Sequence, residues 1–274
     1  MEFSVLMSVY GKDNADDFRE ALKSVTLTQT KKPKQVVIVQ DGIVPSSIDE
    51  IIDDIKNQTA EIEITVLKKE TNQGLASALN SGLSLCKYDW IARMDSDDIS
   101  VADRFEKQIA FIESNMDVAV LGGAIAEFEN EIGDIQSERH VELIHEEITR
   151  MAKSRTPMNH VSVMYLKSAV LAVGGYSEDF GKLEDYKLWV DLIAAGYKLA
   201  NIDDIVVNVR VGKGFIERRS NKREIQDWDM LQTYLLKNNM ITKRKAWVNK
   251  LYIRVFIYMP AWMKKIAYKT ILRR

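Results

Sequence analysis

Three carboxylates crowd into four residues at Asp95-Ser96-Asp97-Asp98, directly after the apolar run Trp90–Met94. Acids gathered where a buried strand emerges are costly unless a cation or hydrogen-bond donors neutralise them. Hard divalent cations such as Mg2+ or Mn2+ take oxygen ligands and often share one or two carboxylates with substrate phosphates, which makes a diphosphate the natural third party. A solvated acidic loop opening the next helix at Asp103 is the alternative. Asp41 ends a second apolar run, residues 36–39, although Asp41-Gly42 is also ordinary turn chemistry. Glu184 and Asp185 stand before the stripe Leu188, Trp189, Leu192 and Ile193. A carboxylate there serves as a general base or as an N-terminal charge favoured by the helix dipole. His160 is the one histidine of three beside a strand-like segment. It reads either as a buried structural group or as a neighbour of a diphosphate or metal, while His140 and His145 read as solvated. No His/Cys arrangement suggests zinc.

These groups need a scaffold that brings them together. Phe3–Val9 is strand-like, and Phe18, Leu22 and Val25 then recur at helical spacing. Residues 36–39 form a second short strand. Ser47 and Glu50 have capping-box spacing before a helix carrying Ile48, Ile51, Ile52 and Ile55. A strand at 62–67, a helix on Leu75, Leu79, Leu83 and Cys86, and a strand at Trp90–Met94 follow, then a helix on Phe105, Ile109 and Ile112 opened by Asp103 and Glu106. Strands alternating with helices predict an α/β fold with a doubly wound, mostly parallel sheet whose ligands bind beyond the carboxyl ends of the strands. Asp41 and the 95–98 cluster both fall at such ends. Beyond residue 118 the rhythm changes to a strand reaching 122, a polar stretch to about 155, a strand-like 160–165 and a helix over 184–195.

Composition narrows the class. At 274 residues, 46% apolar and 28% charged with only 4 Pro, the chain has enough apolar residues for a core of its own and is neither disordered nor collagen-like. A single Cys86 points to a reducing compartment. The opening segment lacks a basic n-region and meets charge after about nine residues, too early for a signal peptide or a membrane span. Charge is split unevenly. All 40 Asp/Glu and 27 of the 38 Lys/Arg lie in residues 1–229, while 230–274 hold 11 Lys/Arg and no acid. An acidic body with a basic tail implies that the tail meets something anionic.

In order along the chain, FSVLMSVYGK, VVIVQDG, TNQGLASALNSGL, WIARMDSDD, GGY and LEDYKLWVDL resemble the family 2 glycosyltransferases of GT-A fold. The resemblance covers about residues 1–210. It implies a catalytic domain at 1–212, its nucleotide-sugar half at 1–100 and its acceptor half at 101–212. It also implies that Val9, Tyr10 and Asp41 hold the uracil of a UDP-sugar, with Asn72, Gln73 and Gly74 close to the nucleotide. Asp95 and Asp97 match the outer carboxylates of the DxD motif and would hold Mn2+ or Mg2+, and Ser96 and Arg93 join the nucleotide-sugar site, Arg93 being alternatively a structural counter-ion for the cluster. Gln40 stands where the family commonly has another Asp. Asp185, beside Glu184, matches the catalytic base. The implied reaction is an inverting transfer of a hexose, glucose or galactose, to a lipid-diphosphate-linked sugar in bacterial surface polysaccharide (O-antigen or capsule) synthesis. His160, Gly175, Tyr176, Trp189, Arg210, Arg218 and Arg219 are candidate acceptor or phosphate contacts.

Residues 213–274 read as a basic loop followed by amphipathic helices. The apolar core of the tail, 251–263, contains Arg254 and Pro260 and is too short to span a bilayer. It fits either an interfacial segment on an anionic membrane or a helical hairpin packed on the body. The first reading places the protein in the cytoplasm, peripherally on the inner face of the cell membrane. No nucleic-acid module is recognisable. Two rivals remain: a non-catalytic UDP-sugar-binding membrane subunit, and a phosphatase-like hydrolase. The hydrolase is disfavoured by Ile99, which stands where its motif would carry Thr or Val.

Overall fold

The computed structural model describes residues 1–212, 223–260 and 263–264. Strands β1 (Phe3–Val9), β2 (Gln35–Gln40), β3 (Glu63–Lys68) and β4 (Trp90–Met94) form a parallel block in the order β3-β2-β1-β4. Between them run α1 (Ala15–Thr26), α2 (Ser46–Gln58) and α3 (Leu75–Leu85). Side chains on a strand alternate between faces, and both faces are covered here. Val5, Met7 and Val9 pack with Phe18 and Leu22 of α1 and with Ile48 and Ile52 of α2. Leu6, Val37 and Val39 pack on the other face with Leu79 and Leu83 of α3. Gly82 marks the tightest crossing, since a Cβ there would lie 2.4 Å from Leu6 Cδ1 and 2.7 Å from Val39 Cγ2.

The sheet continues through β8 (Met164–Leu166), β6 (Val118–Phe128), β9 (Lys198–Arg210) and β5 (Ile99–Ser100). This half is mixed, with β8 antiparallel to both β4 and β6, β9 parallel to β6 and antiparallel to β5, and β7 (Ile135–Arg139) pairing with β6. The expected strand ending at 122 therefore runs six residues further, and the expected polar stretch holds both β7 and helix α5 (His145–Met151). The expected strand at 160–165 is instead a 3-10 turn, His160–Ser162, followed by the short β8. Helices α4 (Arg104–Ser114), α6 (Lys167–Ala172) and α7 (Glu184–Ala194) complete the body. Ser47 does not cap α2, because the helix starts at Ser46 behind Pro45 with no side-chain cap. Asp103 likewise makes no capping bond and pairs instead with Lys107.

After β9 the described residues form an antiparallel helix pair, α8 (Arg223–Lys237) and α9 (Lys243–Tyr258). Leu231 and Leu235 of α8 and Ala246 of α9 share a small core with Phe180, Tyr186 and Val190 of the body. Polar bonds fix the seat, with Asn249 Nδ2 donating to the Lys153 carbonyl at 2.8 Å and to Gln232 Oε1 at 2.7 Å. The hairpin alternative for the tail thus holds for these two helices. No helix among the described residues is long and apolar enough to cross a membrane.

Candidate active site

The carboxyl ends of β2, β1 and β4 lie side by side, so Asp41, Tyr10 and the Asp95–Asp98 loop meet at one edge of the sheet. Asp41 is buried, and its two carboxylate oxygens accept from the backbone N–H groups of Gln73 at 3.0 Å and Gly74 at 2.8 Å. Asn72 Nδ2 donates to the Asp41 carbonyl, and Lys69 lies 3.4 Å from its carboxylate. Gly42 takes φ +89°, and a Cβ there would stand 2.7 Å from the Asn72 backbone nitrogen. Asp41-Gly42 therefore joins two loops besides making a turn. Tyr10 is open to solvent above them, at 41% exposure. Gln40 turns away from this edge, donating to Asp49 of α2.

At the end of β4, Arg93 is buried and ion-pairs with Asp95. Arg104, fully buried below, donates to the Arg93 carbonyl at 2.9 Å. Burial, and then the neighbouring Arg93, pull the Arg104 guanidinium down to about 9. The Asp95, Asp97 and Asp98 carboxylates place one oxygen each within 4.8 Å of one another. Asp97 reaches solvent, yet partial burial of its carboxyl, with Asp95 and then Asp13, pushes it up to about 6. Burial, then Asp95 and Asp97, hold Asp98 well above the usual carboxylate range. Such mutual repulsion is what a bound cation relieves, and three hard oxygen donors fit Mg2+ or Mn2+.

Asp13 and Arg210 were not foreseen in their actual places. Asp13 accepts from the Tyr10 N–H at 3.1 Å and from Ser96 Oγ at 2.7 Å, tying β1 to the acidic loop. It is the acid that follows the carboxyl end of β1, so the strand-end rule used for Asp41 would have found it. Arg210 does not point to an acceptor. Its guanidinium pairs with Asp17 and Glu20 and donates to the Asp97 carbonyl, while its backbone N–H donates to Asp98 at 2.9 Å. It braces the acidic loop from outside. Lys213, Arg218, Arg219 and Lys222 lie outside the described residues, as do Trp262 and Tyr268.

Helix α7 begins at Glu184 beside the cluster. Glu184 is buried and its Oε2 has no hydrogen-bond partner among the described residues; burial and the adjacent Asp185 raise its carboxyl to about 7. Asp185 instead lines a cavity of about 480 Å3 that Asp95, Asp98 and His160 also border. The far wall of that cavity comes from Trp228 of α8 and Tyr252 and Phe256 of α9, with Arg155 at its rim. His160 Nε2 lies 3.0 Å from the Tyr176 hydroxyl, and burial and then Arg93 hold its pKa well below the ordinary value, so it is neutral. Tyr176 and Trp189 are enclosed beneath the cavity and present no surface to an acceptor, because both belong to the core on the α3 face. Gly175 takes φ +76°, and the Tyr176 N–H and carbonyl that follow are held by Asn80. Gly174-Gly175 thus serves as a turn that fixes this aromatic floor.

The sequence matches the family Glycosyl transferase family 2 over residues 4–173. It is 42% identical over 233 residues to an uncharacterized glycosyltransferase of Haemophilus influenzae, covering 85% of each chain. It is 33% identical over 274 residues to the Escherichia coli UDP-Gal:alpha-D-GlcNAc-diphosphoundecaprenol beta-1,3-galactosyltransferase, covering 100% of this chain and 97% of that one. The structure resembles S. aureus TarS 1-349 in complex with UDP-GlcNAc, with a TM-score of 0.69 and 16% identity over 99% of this chain and 76% of the other.

Proposed function

Since the chain belongs to glycosyl transferase family 2 and has the GT-A fold, we propose that it transfers a hexose, glucose or galactose, from a UDP-sugar to a hydroxyl of a lipid-diphosphate-linked sugar. One observation carries this reading: an oxygen-rich acidic cluster and the α7 carboxylate Asp185 border the same 480 Å3 cavity at the ligand-binding end of the sheet. The 33% identity to an enzyme named for such an acceptor supports the lipid-linked class. Bacterial surface polysaccharide, O-antigen or capsule, is the setting, and the cytoplasmic face of the membrane is the place of work. Residues 1–212 are the catalytic domain, and α8 and α9 form its membrane-facing appendage.

Each residue then has a task. Tyr10 covers the uracil face, Val9 flanks it, and Asn72, Gln73 and Gly74 present backbone and amide groups to the nucleotide. Asp41, buried and already accepting from two N–H groups, holds that loop in place and offers its remaining lone-pair capacity to the base N3–H. Asp97 and Asp95, with Asp98 behind them, would hold Mn2+ or Mg2+. When bound, the cation neutralises charge on the departing diphosphate. Asp185 takes the proton of the acceptor hydroxyl as that oxygen attacks the anomeric carbon from the face opposite UDP. The anomeric C–O bond breaks with its electron pair going to UDP, and the proton stays on Asp185. Inversion follows, so an α-linked donor gives a β-glycoside. Glu184, buried next to Asp185 and outside the cavity lining, would act through Asp185 by holding the base in place.

The test is nucleotide release from UDP-, GDP- and dTDP-sugars with Mn2+, with and without lipid-diphosphate-sugars. Release from one UDP-sugar, raised by the acceptor and abolished by EDTA, supports the reading. UDP binding without turnover under any acceptor would leave a binding subunit in its place.

A further inference from the structure

Helix α9 has one outward-looking apolar sector. Trp247, Val248, Leu251, Tyr252, Val255 and Tyr258 are all exposed, Trp247 at 65% and Tyr258 at 68%. Their spacing, four, four and three residues from Trp247 to Tyr258 with Val248 and Tyr252 alongside, gathers them on one stripe of the helix. A stripe of large apolar side chains open to water calls for a partner. Tyr252 belongs to the stripe and also lines the cavity, as does Phe256 one turn on. The apolar surface is therefore continuous from the cavity wall to the outer face.

Charge says what covers it. Lys243 and Arg244 are exposed at the start of α9, and neither has a carboxylate partner among the described residues. No Asp or Glu occurs anywhere in residues 230–274, and the sequence beyond α9 adds Lys264, Lys265, Lys269, Arg273 and Arg274. A second copy of the chain docked on this face would set cation against cation. An interface of anionic lipid complements both features, since aromatic and aliphatic side chains enter the headgroup region while Lys and Arg meet its phosphates. Trp and Tyr are suited to that depth because their rings are amphipathic.

We infer that α9 is a monotopic docking helix for an anionic bilayer surface, and that its Tyr252–Phe256 edge is the path by which a lipid-borne acceptor reaches Asp185. This deepens the transferase reading and rests on it only in the second part. A helix that is at once the membrane contact and a cavity wall turns the mouth of the site toward the bilayer. The sugar then enters the cavity while its lipid stays in the membrane.

The experiment is sedimentation of the full chain with phosphatidylcholine vesicles and with equimolar phosphatidylcholine and phosphatidylglycerol, without donor or acceptor. Binding is expected only to the anionic vesicles. Lys243→Gln with Arg244→Gln should weaken it about thirtyfold, given about 1 kcal/mol per cation near such a surface. Trp247→Ser with Leu251→Ser, at exposed positions where folding is not at stake, should abolish it. In parallel, turnover of a short-chain, detergent-soluble acceptor should be unchanged in both double variants, while turnover of a vesicle-embedded long-chain acceptor falls. Failure of the wild type to bind anionic vesicles overturns the inference even if the soluble acceptor is turned over. Vesicle binding that survives both double variants overturns it too. A dimer that Trp247→Ser with Leu251→Ser dissolves, without vesicle binding, would hand the face to a second copy. Vesicle binding without turnover of any acceptor would spare the docking helix and remove the transferase reading.

Discussion

Glu184 gives the sharpest quantitative test, because its environment opposes its charge. It is buried at the start of α7 with no partner for Oε2 among the described residues, and this burial, with Asp185 adjoining, lifts its carboxyl from an ordinary 4.5 to about 7. A carboxyl whose pKa is raised by folding favours the folded state while protonated. Its contribution is complete below pH 4.5 and is lost as pH climbs through 7. At about 1.36 kcal/mol per pH unit, the loss accumulated is about 1 kcal/mol at pH 5 and about 3 kcal/mol at pH 8. Glu184→Gln keeps the shape and removes the titration. Relative to wild type, the variant should therefore gain about 2 to 3 kcal/mol between pH 5 and pH 8, whatever constant offset the amide introduces. The assay is urea unfolding of the metal-free protein followed by tryptophan fluorescence at both pH values. In a chain this long the same difference moves Tm by several degrees. If wild type and Glu184→Gln keep the same stability difference at both pH values, the reasoning about a desolvated Glu184 is wrong.

Asp185→Asn should cut transfer about 10²- to 10⁴-fold, the span typical of a lost general base. UDP binding measured by calorimetry should stay unchanged, and a fall in both would move Asp185 from the acceptor side to the donor side. Asp97→Asn and EDTA treatment should each abolish turnover, and added Mn2+ should rescue wild type but not the variant. Gly42→Ala forces a Cβ to 2.7 Å from the Asn72 nitrogen at φ +89°. It should weaken UDP binding severalfold, and unaltered affinity would show that the two loops yield without consequence. Gly82→Ala, far from the cavity, should cost about 1 to 3 kcal/mol of stability through overpacking against Leu6 and Val39. An unchanged urea midpoint would contradict that.

The parallel block was legible because its physics is local and repetitive. Val5, Met7 and Val9 against Leu6, and Ile48, Ile51, Ile52 and Ile55 on α2, state their faces in the sequence. Asp41 and Asp95 could be picked out because a strand ended just before them. Spacing misled where a capping residue or a distant partner decided the outcome. Ser47 matched a capping box, yet Pro45, with its fixed φ, sets the helix start two residues earlier than that box requires. Arg210 looked like a free cation on sequence because Asp17 and Glu20, its partners, lie about 190 residues away. Trp189 reads on sequence both as part of the α7 stripe and as a candidate acceptor contact, and the structure takes the first of these, turning it into the core. The hairpin hid its inner side in the same way. Leu231 and Leu235 have helical spacing, but the body residues that receive them, Phe180, Tyr186 and Val190, come from a different part of the chain. A one-dimensional reading weighed the charges of the tail and could not see that socket.

Asp41 has a consequence for how this protein could change its donor. The carboxylate that would read the nucleobase is the same one that tethers the Gln73 and Gly74 amides, with Gly42 pressed against Asn72. Recognition and scaffolding are thus invested in a single side chain. Replacing it to suit another base would release the neighbouring loop at the same moment, so single-step drift toward a purine donor passes through a form that binds no nucleotide well. Divergence is easier on the other side of the cavity, where Arg155, Tyr252 and Phe256 line the wall that an acceptor would meet under the proposed function. A lineage built on this frame would be expected to keep its nucleotide and vary the glycan it extends.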